Sequence, residues 1–304
     1  MGRNLCASEV SANVKKSRLA LGTVQFGLDY GIANSVGRVT CTEARAIIRQ
    51  AQMNGLDTLD TAIAYGGSED TLGSAGIQYW NVVTKLPTLP ADCHNVDDWV
   101  MTQIKQSLFR LGISQLKGVL LHSPEDLLGR NGKSLLRALE RIKAEGFAQQ
   151  IGVSVYASEQ LEALTKIMVL DLVQAPLNVL DNRLIASGWS GRLKDQGTEI
   201  HVRSAFLQGL LLMPLDQRPA KFSRWADIWA EWSRWLERNG LTPLQACLAY
   251  VLSFAEIDRV IIGVDSLAQF NEIFAASHTT FTSLPDWPQP IDNNLINPAH
   301  WSQL

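Results

Sequence analysis

The sequence has few cysteines, and it lacks both a long apolar run and an excess of charge of either sign. Its four cysteines lie far apart, without a Cys-x-x-Cys pair, so we expect free thiols in a reducing compartment and no disulfide framework. The longest apolar stretch, around Gly209–Leu215, is well short of the roughly 18 residues that a membrane-spanning helix requires. A disulfide-stabilised secreted domain and a membrane protein are therefore not expected.

Charge, targeting signals and metal-ligand clusters are equally sparse. The 27 Lys and Arg residues are balanced by 30 Asp and Glu residues, for a formal net charge of −3, which gives no basic face of the kind that binds nucleic acid. Arg3 near the start is not followed by the apolar segment of a signal peptide. Cys93 and His94 are adjacent, but no further metal ligand lies at a suitable spacing. We predict a cytoplasmic protein that binds no nucleic acid, membrane or metal.

What the sequence does contain is a repeated alternation of short apolar runs and segments with helical periodicity. The short runs predict strands at Ala20–Val24, Leu56–Asp60, Asn81–Lys85, Gly118–His122, Ala148–Ser154, Leu172–Ala175, Glu199–Arg203 and Arg259–Gly263. The periodic segments predict helices at Thr42–Met53, Glu69–Ala75, Val96–Leu111, Ser134–Ala144, Ser158–Ile167, Leu184–Lys194, Trp225–Arg238, Pro243–Ser253 and Leu267–Ala275. Thr42, Ser158 and Thr242 stand where helix N-caps are expected.

Strand–helix units that follow one another eight times favour a parallel sheet closed into a (β/α)8 barrel, the TIM-barrel class of α/β proteins. No Ser/Gly-rich linker divides the chain, so residues 1–304 are expected to form a single domain. Its barrel core would span about residues 19–275, and a C-terminal tail at about 276–304 could cover one edge. A doubly wound sheet is the alternative, because a strand count from one sequence is uncertain by one or two.

In a barrel of this class the functional side chains lie at the carboxyl ends of the strands. Polar or ionisable residues close or follow most of the predicted strands. These residues are Asp60, Lys85, His122, Ser154, Gln174 and Arg203. We expect them to converge at one end of the barrel.

The most informative stretch begins at one of these strand ends. It reads Asp60-Thr-Ala-Ile-Ala-Tyr-Gly-Gly-Ser-Glu69 and is followed by Leu72-Gly73. It resembles the aldo-keto reductases, whose pattern at this point is Asp, Tyr-Gly, Ser-Glu and Leu-Gly. Further matches fall in family order at Val83–Lys85, Ser107–Gly112, Leu120–Pro124, Ile151–Ser154, Gln174–Asn178, Arg203–Gly209 and Ile262–Ser266. The resemblance implies hydride transfer between a nicotinamide dinucleotide and a small carbonyl compound.

Carbonyl reduction also explains the residue types in this set. Hydride transfer leaves negative charge developing on the carbonyl oxygen, so an acid has to supply a proton there. A phenol, with an ordinary pKa of about 10, is a poor donor unless a nearby cation stabilises its phenolate. We predict Tyr65 as the acid/base, Lys85 as that cation, Asp60 as the ion-pair partner of Lys85, and His122 as the group that orients the substrate. A Schiff base on Lys85, as in barrel aldolases, is the competing chemistry.

The cofactor site is predicted from the resemblance, because no Gly-x-Gly-x-x-Gly follows a strand and a Rossmann mode is not supported. The resemblance implies an extended dinucleotide across the barrel mouth. It assigns the carboxamide to Ser154 and Gln174, the pyrophosphate to Ser204, Phe206 and Gln208, and the adenosine end to Gly263–Gln269 with Asp265 and Ser266. Gly22, Thr23, Asp60 and Arg203 complete the predicted cofactor-binding set. Backbone N–H groups at the start of the helix after the eighth strand would suit a phosphate.

Four residues depart from the family's pattern. Val155 stands where Asn is common, and Arg203 stands where many members stack an aromatic ring on the nicotinamide. A guanidinium can stack as well, but its charge disfavours the oxidised, cationic ring. Asp265 and Gln269 replace residues that often contact a 2′-phosphate, and an acidic group there favours a free ribose hydroxyl. Family habit narrowly favours NADP(H), and NAD(H) stays open.

The sequence leaves alternatives open for both the function and the substrate. The intact set of four reactive residues favours an enzyme, whereas Val155 and Arg203 leave open a nicotinamide-binding regulatory subunit with little turnover. The loop at Gln25–Arg38, with its aromatic residues, and the apolar segment Leu210–Pro214 could form a wall of the substrate pocket. The sequence resembles bacterial family members of sugar metabolism, which points to a sugar aldehyde or keto-sugar.

A stripe of tryptophans has two interpretations as well. Trp225, Trp229, Trp232 and Trp235 recur at spacings that place them on one face of a helix. Such a face could pack onto the barrel, or it could form the subunit interface of a homo-oligomer, since Trp is enriched at interfaces.

Overall fold

Eight parallel strands close into a barrel in a computed structural model that describes residues 16–34, 36–280, 283–285, 287 and 290–304. Each strand pairs with the next, and β8 pairs with β1. The strands are β1 Leu19–Gly22, β2 Thr58–Asp60, β3 Asn81–Leu86, β4 Leu116–Leu121, β5 Ala148–Ser154, β6 Leu172–Pro176, β7 Glu199–Arg203 and β8 Arg259–Gly263. The predicted (β/α)8 barrel is confirmed. The alternative, a doubly wound sheet, is open and would not contain a pairing between β1 and β8. These two strands do pair here, so that alternative is excluded.

Helices follow the strands around the outside of the barrel. They are α1 Cys41–Met53, α2 Ser68–Ala75, α3 Val96–Leu111, α4 Gly132–Ala144, α5 Gln160–Leu164, α6 Arg183–Ala186, α7 Trp189–Asp195, α8 Ala226–Asn239, α9 Pro243–Ser253, α10 Leu267–Ala276 and α11 Asn293–Ile296. Short 3-10 helices lie at Val24–Phe26, Pro124–Leu128, Leu207–Gly209, Leu215–Gln217, Ala220–Trp225 and Pro298–Gln303. Within the described part of the chain, no helix combines the length and apolar character needed to cross a membrane.

Two helices are shorter than predicted. The segment Leu184–Lys194 forms two helices, α6 and α7, because Gly188 between them has φ +75°, a left-handed conformation that an α-helix does not include. The segment Ser158–Ile167 contributes only α5, whose N-cap is Glu159 without a side-chain cap. Hydrophobic periodicity located both segments but did not resolve where the helical backbone begins and ends.

Side-chain caps fix the starts of two other helices. Thr40, and not the predicted Thr42, caps α1 by accepting a hydrogen bond from the Glu43 N–H at 3.2 Å. Thr242 caps α9 as predicted, in a reciprocal capping box with Gln245. The position of Thr40 places Glu43 in the first turn of α1, a location that bears on the site below.

The interior of the barrel is layered, because alternate residues of a strand face the same side. Val83, Leu120 and Leu172 pack together as a fully buried apolar layer. The next inward positions toward the carboxyl ends of the same strands are Lys85, His122 and Gln174. An apolar floor therefore lies beneath the polar residues at that end of the barrel.

The tryptophan stripe is buried within this chain. Its members expose between 1% and 8% of their surface, for Trp225, Trp229, Trp232 and Trp235. Trp229 Nε1 donates to the carbonyl oxygen of Phe222 at 2.9 Å, and Trp232 Nε1 donates to that of Leu211 at 3.1 Å. Of the two interpretations, packing within the chain is the one that the structure supports.

The described end of the chain covers part of this aromatic cluster. The ring of Trp301 meets Phe222 edge-on, with centroids 4.9 Å apart. Lys221 Nζ donates to the carbonyl oxygen of Trp301 at 2.8 Å, and Trp225 Nε1 donates to Asp292 Oδ2 at 3.2 Å. The tail thus packs against the segment that leads into α8.

Some expectations concern residues outside the described part of the chain. Cys6 and most of the segment considered for a signal peptide lie in 1–15, and five positions of the predicted tail, 281–282, 286 and 288–289, lie outside it too. The three described cysteines are free thiols: Cys41, Cys93 and Cys247.

Candidate active site

A buried ion pair lies at the base of the site. Asp60 ends β2 and Lys85 lies in β3, and their side chains expose only 6% and 1% of their surface. Lys85 Nζ is 2.9 and 2.7 Å from the two carboxylate oxygens of Asp60 and 2.9 Å from the carbonyl oxygen of Thr61, so all three ammonium protons are donated. Burial lowers the pKa of Lys85, but the Asp60 carboxylate and Tyr65 together outweigh burial, and the pKa is raised. The ammonium is therefore held in its charged form.

Tyr65 lies beside this pair, in the turn between β2 and α2. Its ring is partly buried, and its centroid is 5.1 Å from Lys85 Nζ. The turn packs tightly on the segment after β1, since a Cβ on Gly27 would lie 1.8 Å from the Tyr65 carbonyl oxygen. That carbonyl also accepts from the Ser68 N–H at 3.1 Å. Close packing on both sides fixes the phenol next to the cation.

His122 follows β4 and approaches Tyr65 from another side. The two rings meet edge-on, with centroids 5.9 Å apart and planes at 80°. Burial, together with the positive charges of Lys85 and Arg203, lowers the pKa of His122 to about 4. The imidazole is therefore neutral near pH 7, with one N–H to donate and one nitrogen to accept. It can hydrogen-bond a carbonyl oxygen without taking up a proton.

Gln174 reaches across the barrel to the ion pair. Its Nε2 donates to Asp60 Oδ1 at 2.7 Å, and its Oε1 accepts from Ser154 Oγ at 3.4 Å. Both side chains are buried. The two residues predicted for the cofactor carboxamide therefore extend the Asp60–Lys85 pair into a chain of polar contacts from β5 through β6 to β2 and β3.

Arg203 ends β7 and lines the wall of the site. Its Nη2 donates to the carbonyl oxygen of Val155 at 3.0 Å, its Nη1 donates to Ser204 Oγ at 3.3 Å, and its Cζ lies 4.6 Å from the ring centroid of Tyr156. It pairs with no carboxylate within 4.0 Å among the residues that the structure describes. An uncompensated positive charge is thus held at the wall, stacked on an aromatic ring of the chain itself.

The loop after β7 has an unusual backbone. Ser204, Leu207 and Gln208 have φ values of +64°, +48° and +54°, in the left-handed region that residues other than glycine rarely adopt. Asn178 Nδ2 holds the loop by donating to the Ser204 carbonyl oxygen at 3.1 Å, and Gln208 Nε2 donates to Tyr30 Oη at 3.2 Å. Backbone strain held in place by packing is typical of ligand-binding loops.

A pocket of about 420 Å³ opens over these residues, a volume typical of small-molecule sites. Besides Tyr65, most of the predicted cofactor-binding set lines it: Gly22, Thr23, Asp60, Gln174, Arg203, Ser204, Phe206, Gln208, Gly263, Asp265 and Gln269. Lys85 and Ser154 do not line the pocket and are connected to it through Asp60 and Gln174.

The remaining predicted residues lie at the margins of the pocket. His122 contacts Tyr65 but is not part of the lining, and Ser266 is the N-cap of α10. Tyr30 and the segment 212–214 do line it, in keeping with the expected aromatic and apolar wall, whereas the ring of Phe26 is buried in the core.

At the far end of the pocket, the start of α10 is already supplied with acceptors. Ser266 Oγ accepts from the Gln269 N–H at 3.1 Å, and Gln269 Oε1 accepts from the Asp265 N–H at 2.6 Å. Glu43 Oε1, from α1, accepts from the Leu267 N–H at 2.7 Å. Three backbone donors around this helix start, those of Asp265, Leu267 and Gln269, are therefore bonded to side chains of this chain, one of them a carboxylate.

The side chains that line the pocket are of the kinds that hydrogen-bond a nicotinamide dinucleotide. Gln25 lines it, and Gln25 Oε1 is buried without a hydrogen-bond partner among the described residues, so it can accept from an N–H or O–H of a ligand. Gly263 leaves room here, since a Cβ at this position would lie 2.4 Å from Gln25 Nε2. Gln174, Arg203 and the loop after β7 add amide, guanidinium and hydroxyl groups along the same pocket.

Three residues of the site carry no signal in the sequence. Gln25, Asn34 and Glu43 belong to no recognisable motif, and their contacts join distant parts of the chain. Asn34 Nδ2 lies 3.4 Å from Asp265 Oδ1, across 231 positions, and the contact of Glu43 with Leu267 spans 224 positions. Only the closure of the barrel, which brings β1 next to β8, places them together.

Comparison with known proteins gives consistent matches. The model of the aldo/keto reductase family matches residues 18–284. A D-threo-aldose 1-dehydrogenase from a Pseudomonas species is 28% identical, with 86% of this chain and 92% of that protein covered. The structure of an aldo-keto reductase from Bacillus halodurans, in a holo form, is similar with a TM-score of 0.68 at 21% identity, covering 88% of this chain and 89% of the other. A glycerol dehydrogenase from Gluconobacter oxydans has a TM-score of 0.65 at 20% identity, with 88% of each chain covered.

Proposed function

The chain belongs to the aldo/keto reductase family, and on this basis we propose that it reduces an aldehyde or ketone to an alcohol with a reduced nicotinamide dinucleotide. The buried Asp60–Lys85 pair beside Tyr65 carries the proposal. It combines a proton donor, a charged group that stabilises the donor's anion, and a pocket for both reactants in one place.

Each reactive residue has a distinct task in this proposal. Gln174, Arg203 and Gln208, which line the pocket, would hold the reduced nicotinamide dinucleotide, and this cofactor would supply the hydride. Tyr65 donates its phenolic proton to the carbonyl oxygen as negative charge develops there. Lys85 stabilises the resulting phenolate, and Asp60 keeps Lys85 charged and in place. The neutral imidazole of His122 donates a hydrogen bond to the same oxygen and so orients the substrate.

The same geometry argues against Schiff-base chemistry at Lys85. A lysine that attacks a carbonyl needs a neutral amine with a free electron pair. The three protons on Lys85 Nζ are donated to Asp60 and Thr61, and its pKa is raised. Hydride transfer is therefore the chemistry that this lysine supports.

We propose a sugar-derived carbonyl compound as the substrate. The 28% identical relative is named for an aldose, and Tyr30, which lines the pocket, has a phenolic oxygen that can hydrogen-bond hydroxyl groups. Leu212 and Met213 add an apolar part to the lining, which suits the C–H face of a sugar. A panel of aldoses, ketoses and simple aldehydes, with consumption of the reduced nucleotide as the readout, identifies the class.

Tyr65→Phe tests the assigned proton donor. The substitution keeps the ring and its contacts but removes the acidic proton, so we expect turnover to fall by about 10²- to 10⁴-fold. The dissociation constant of the reduced nucleotide, measured by fluorescence titration, should change by less than about twofold, since the hydroxyl is assigned to the substrate oxygen. Tyr79→Phe is the matched control, because Tyr79 is 90% exposed and lies outside the pocket.

Two outcomes would contradict the proposal. Wild-type turnover by Tyr65→Phe would remove the tyrosine from the mechanism. Tight binding of the nucleotide by the wild-type protein, with no consumption across the whole carbonyl panel, would instead support the nicotinamide-binding regulatory subunit.

A further inference from the structure

The two ends of the pocket differ in charge. Tyr65 and Arg203 lie at one end, and the start of α10 forms the other. A dinucleotide with its nicotinamide beside Tyr65 must place its adenosine ribose toward α10, because the pocket is continuous in that direction. In barrels of this class, the loops after the seventh and eighth strands and the N-terminus of a short helix frequently form a phosphate site.

In this chain that end is acidic. Asp265 and Glu272 line it, and among the described lining residues the only basic side chain is Arg203, at the other end. Burial raises the pKa of Asp265, with no opposing contribution from a nearby cation. An additional phosphate at this end would therefore meet negative charge.

Glu43 adds a carboxylate at the point where a phosphate would bind. It accepts the Leu267 N–H at 2.7 Å, at the first residue of α10, where the partial positive charge of the helix favours an anion. Neither Glu43 nor Asp265 lies within 4.0 Å of a Lys or Arg nitrogen among the described residues. The N-terminus of α10 thus already holds the Glu43 carboxylate, and no described cation neutralises the charge of this carboxylate.

We propose that Glu43 and Asp265 select NADH over NADPH by excluding the 2′-phosphate of the adenosine ribose. This inference rests on the proposed nicotinamide-dependent function. The 2′-phosphate carries close to two negative charges near pH 7 and is repelled by the two carboxylates, whereas the 2′-hydroxyl of NADH can donate a hydrogen bond to one of them. The resemblance to the family narrowly favours NADP(H), whereas the geometry of this chain favours NADH.

Isothermal titration calorimetry of the full chain with NADH and with NADPH tests the selection directly. We expect NADH to bind the wild-type protein at least about tenfold more tightly. The Glu43→Gln/Asp265→Asn variant keeps a side-chain oxygen at each position to accept hydrogen bonds but removes both charges. It should bind NADPH about tenfold more tightly than the wild type does, while its affinity for NADH changes by less than about threefold.

Glu140→Gln is the matched control, because Glu140 is an exposed carboxylate of α4 on another side of the barrel. It should leave the ratio of the two affinities unchanged. Competition against bound NADH by adenosine and by adenosine 2′-monophosphate gives a second readout on the wild-type protein. Adenosine should compete better, even if the double variant does not fold.

The failure of this inference is distinguishable from that of the proposed function. Wild-type binding of NADPH as tight as that of NADH, or an unchanged affinity ratio in a folded double variant, overturns the selection and leaves carbonyl reduction standing. Absence of binding by either nucleotide overturns the proposed function, and the selection with it.

Discussion

Asp60 is the residue on which the polar contacts of the site converge. Its carboxylate accepts from Lys85 through both oxygens and from Gln174 through one, and its backbone carbonyl accepts from Thr23 Oγ1 at 3.0 Å. A buried ion pair contributes little net stability when complete, but removal of one partner leaves an uncompensated buried charge. Stability and catalysis therefore depend on the same two side chains in different ways.

Substitution of Lys85 by Met should expose this difference. Lys85→Met leaves the Asp60 carboxylate buried without its cation, so we expect the free energy of unfolding to fall by about 3 to 5 kcal/mol. Asp60→Asn/Lys85→Met removes both charges and should recover at least about 2 kcal/mol of that loss, yet remain inactive because no cation stabilises the phenolate of Tyr65. Urea unfolding and turnover are measured on the same preparations.

The double variant is decisive here. Recovery of stability without activity is the expected pattern. If Lys85→Met is as stable as the wild type, the ion pair is not coupled to folding as the buried geometry requires, and if the double variant is active, Lys85 does not assist Tyr65.

Two signals in the sequence predicted site residues. Asp60 and Lys85 close predicted strands, and a closed barrel brings consecutive strand ends together. Tyr65 lies in the turn after β2 and was predicted from the resemblance of that stretch to the family pattern. The hydrogen bonds between site residues were harder to predict from the sequence, since the contact of Gln174 with Asp60 crosses the barrel. Glu43 could not be predicted as a site residue from the sequence, because an acidic residue in the first turn of a helix usually stabilises the helix dipole.

Among the elements, α8 shows what periodicity can and cannot establish. The spacing of its tryptophans predicts one buried face, and that face is buried. The residues that cover it include Phe222, in a short 3-10 helix, and the loop around Leu211. Whether a face is covered by the same chain or by another one is decided by such segments.

Glu69 joins two helices and a strand on the outside of the barrel. Its Oε1 accepts from Thr84 Oγ1 of β3 at 2.8 Å and from Ser107 Oγ of α3 at 2.7 Å. Its Oε2 accepts from Arg110 Nε and Nη2 at 2.8 and 2.6 Å. Because the Glu69 side chain is buried while it satisfies four donors, α2 and α3 are held to the sheet by one carboxylate.

We expect Glu69→Gln to lower the free energy of unfolding by about 2 to 3 kcal/mol. An amide replaces one acceptor oxygen with a donor and removes the charge that strengthens the remaining bonds. Asp70→Asn is the matched control, since Asp70 is the exposed neighbour in the same turn of α2. Its cost should stay below about 1 kcal/mol. Equal costs in urea unfolding would mean that only the helix dipole, and not the buried network, responds.

At the scale of the whole molecule, the two ends of the barrel have different roles. The carboxyl end holds the pocket, whereas the amino end carries a second polar cluster with no pocket residues. There Glu199 Oε1 accepts from His201 Nε2 at 2.9 Å, and Glu199 Oε2 accepts from Gln150 Nε2 at 3.0 Å and lies 3.4 Å from Lys117 Nζ. These contacts tie β4, β5 and β7 together below the apolar layer, so we assign this end to stability.

The amino-end cluster should make the barrel sensitive to acid through Glu199. The hydrogen bond from His201 lowers the pKa of Glu199 from 4.5 to about 2, against the opposing effect of burial. As the pH falls, the unfolded chain therefore takes up this proton before the folded one does. The stabilisation, roughly 2 to 3 kcal/mol, is present above about pH 4.5 and is lost as the pH falls through about 2.

Glu199→Gln isolates this contribution from that of the other carboxylates. The amide cannot titrate, so the difference in free energy of unfolding between wild type and variant should shrink to less than about half between pH 7 and pH 3. Urea unfolding at several pH values measures it, with Glu140→Gln, exposed on α4, as the control whose difference from wild type stays near zero. A wild-type advantage that is constant with pH would mean that Glu199 stabilises the barrel through packing alone, because only a proton-linked contact can follow the pH in this direction.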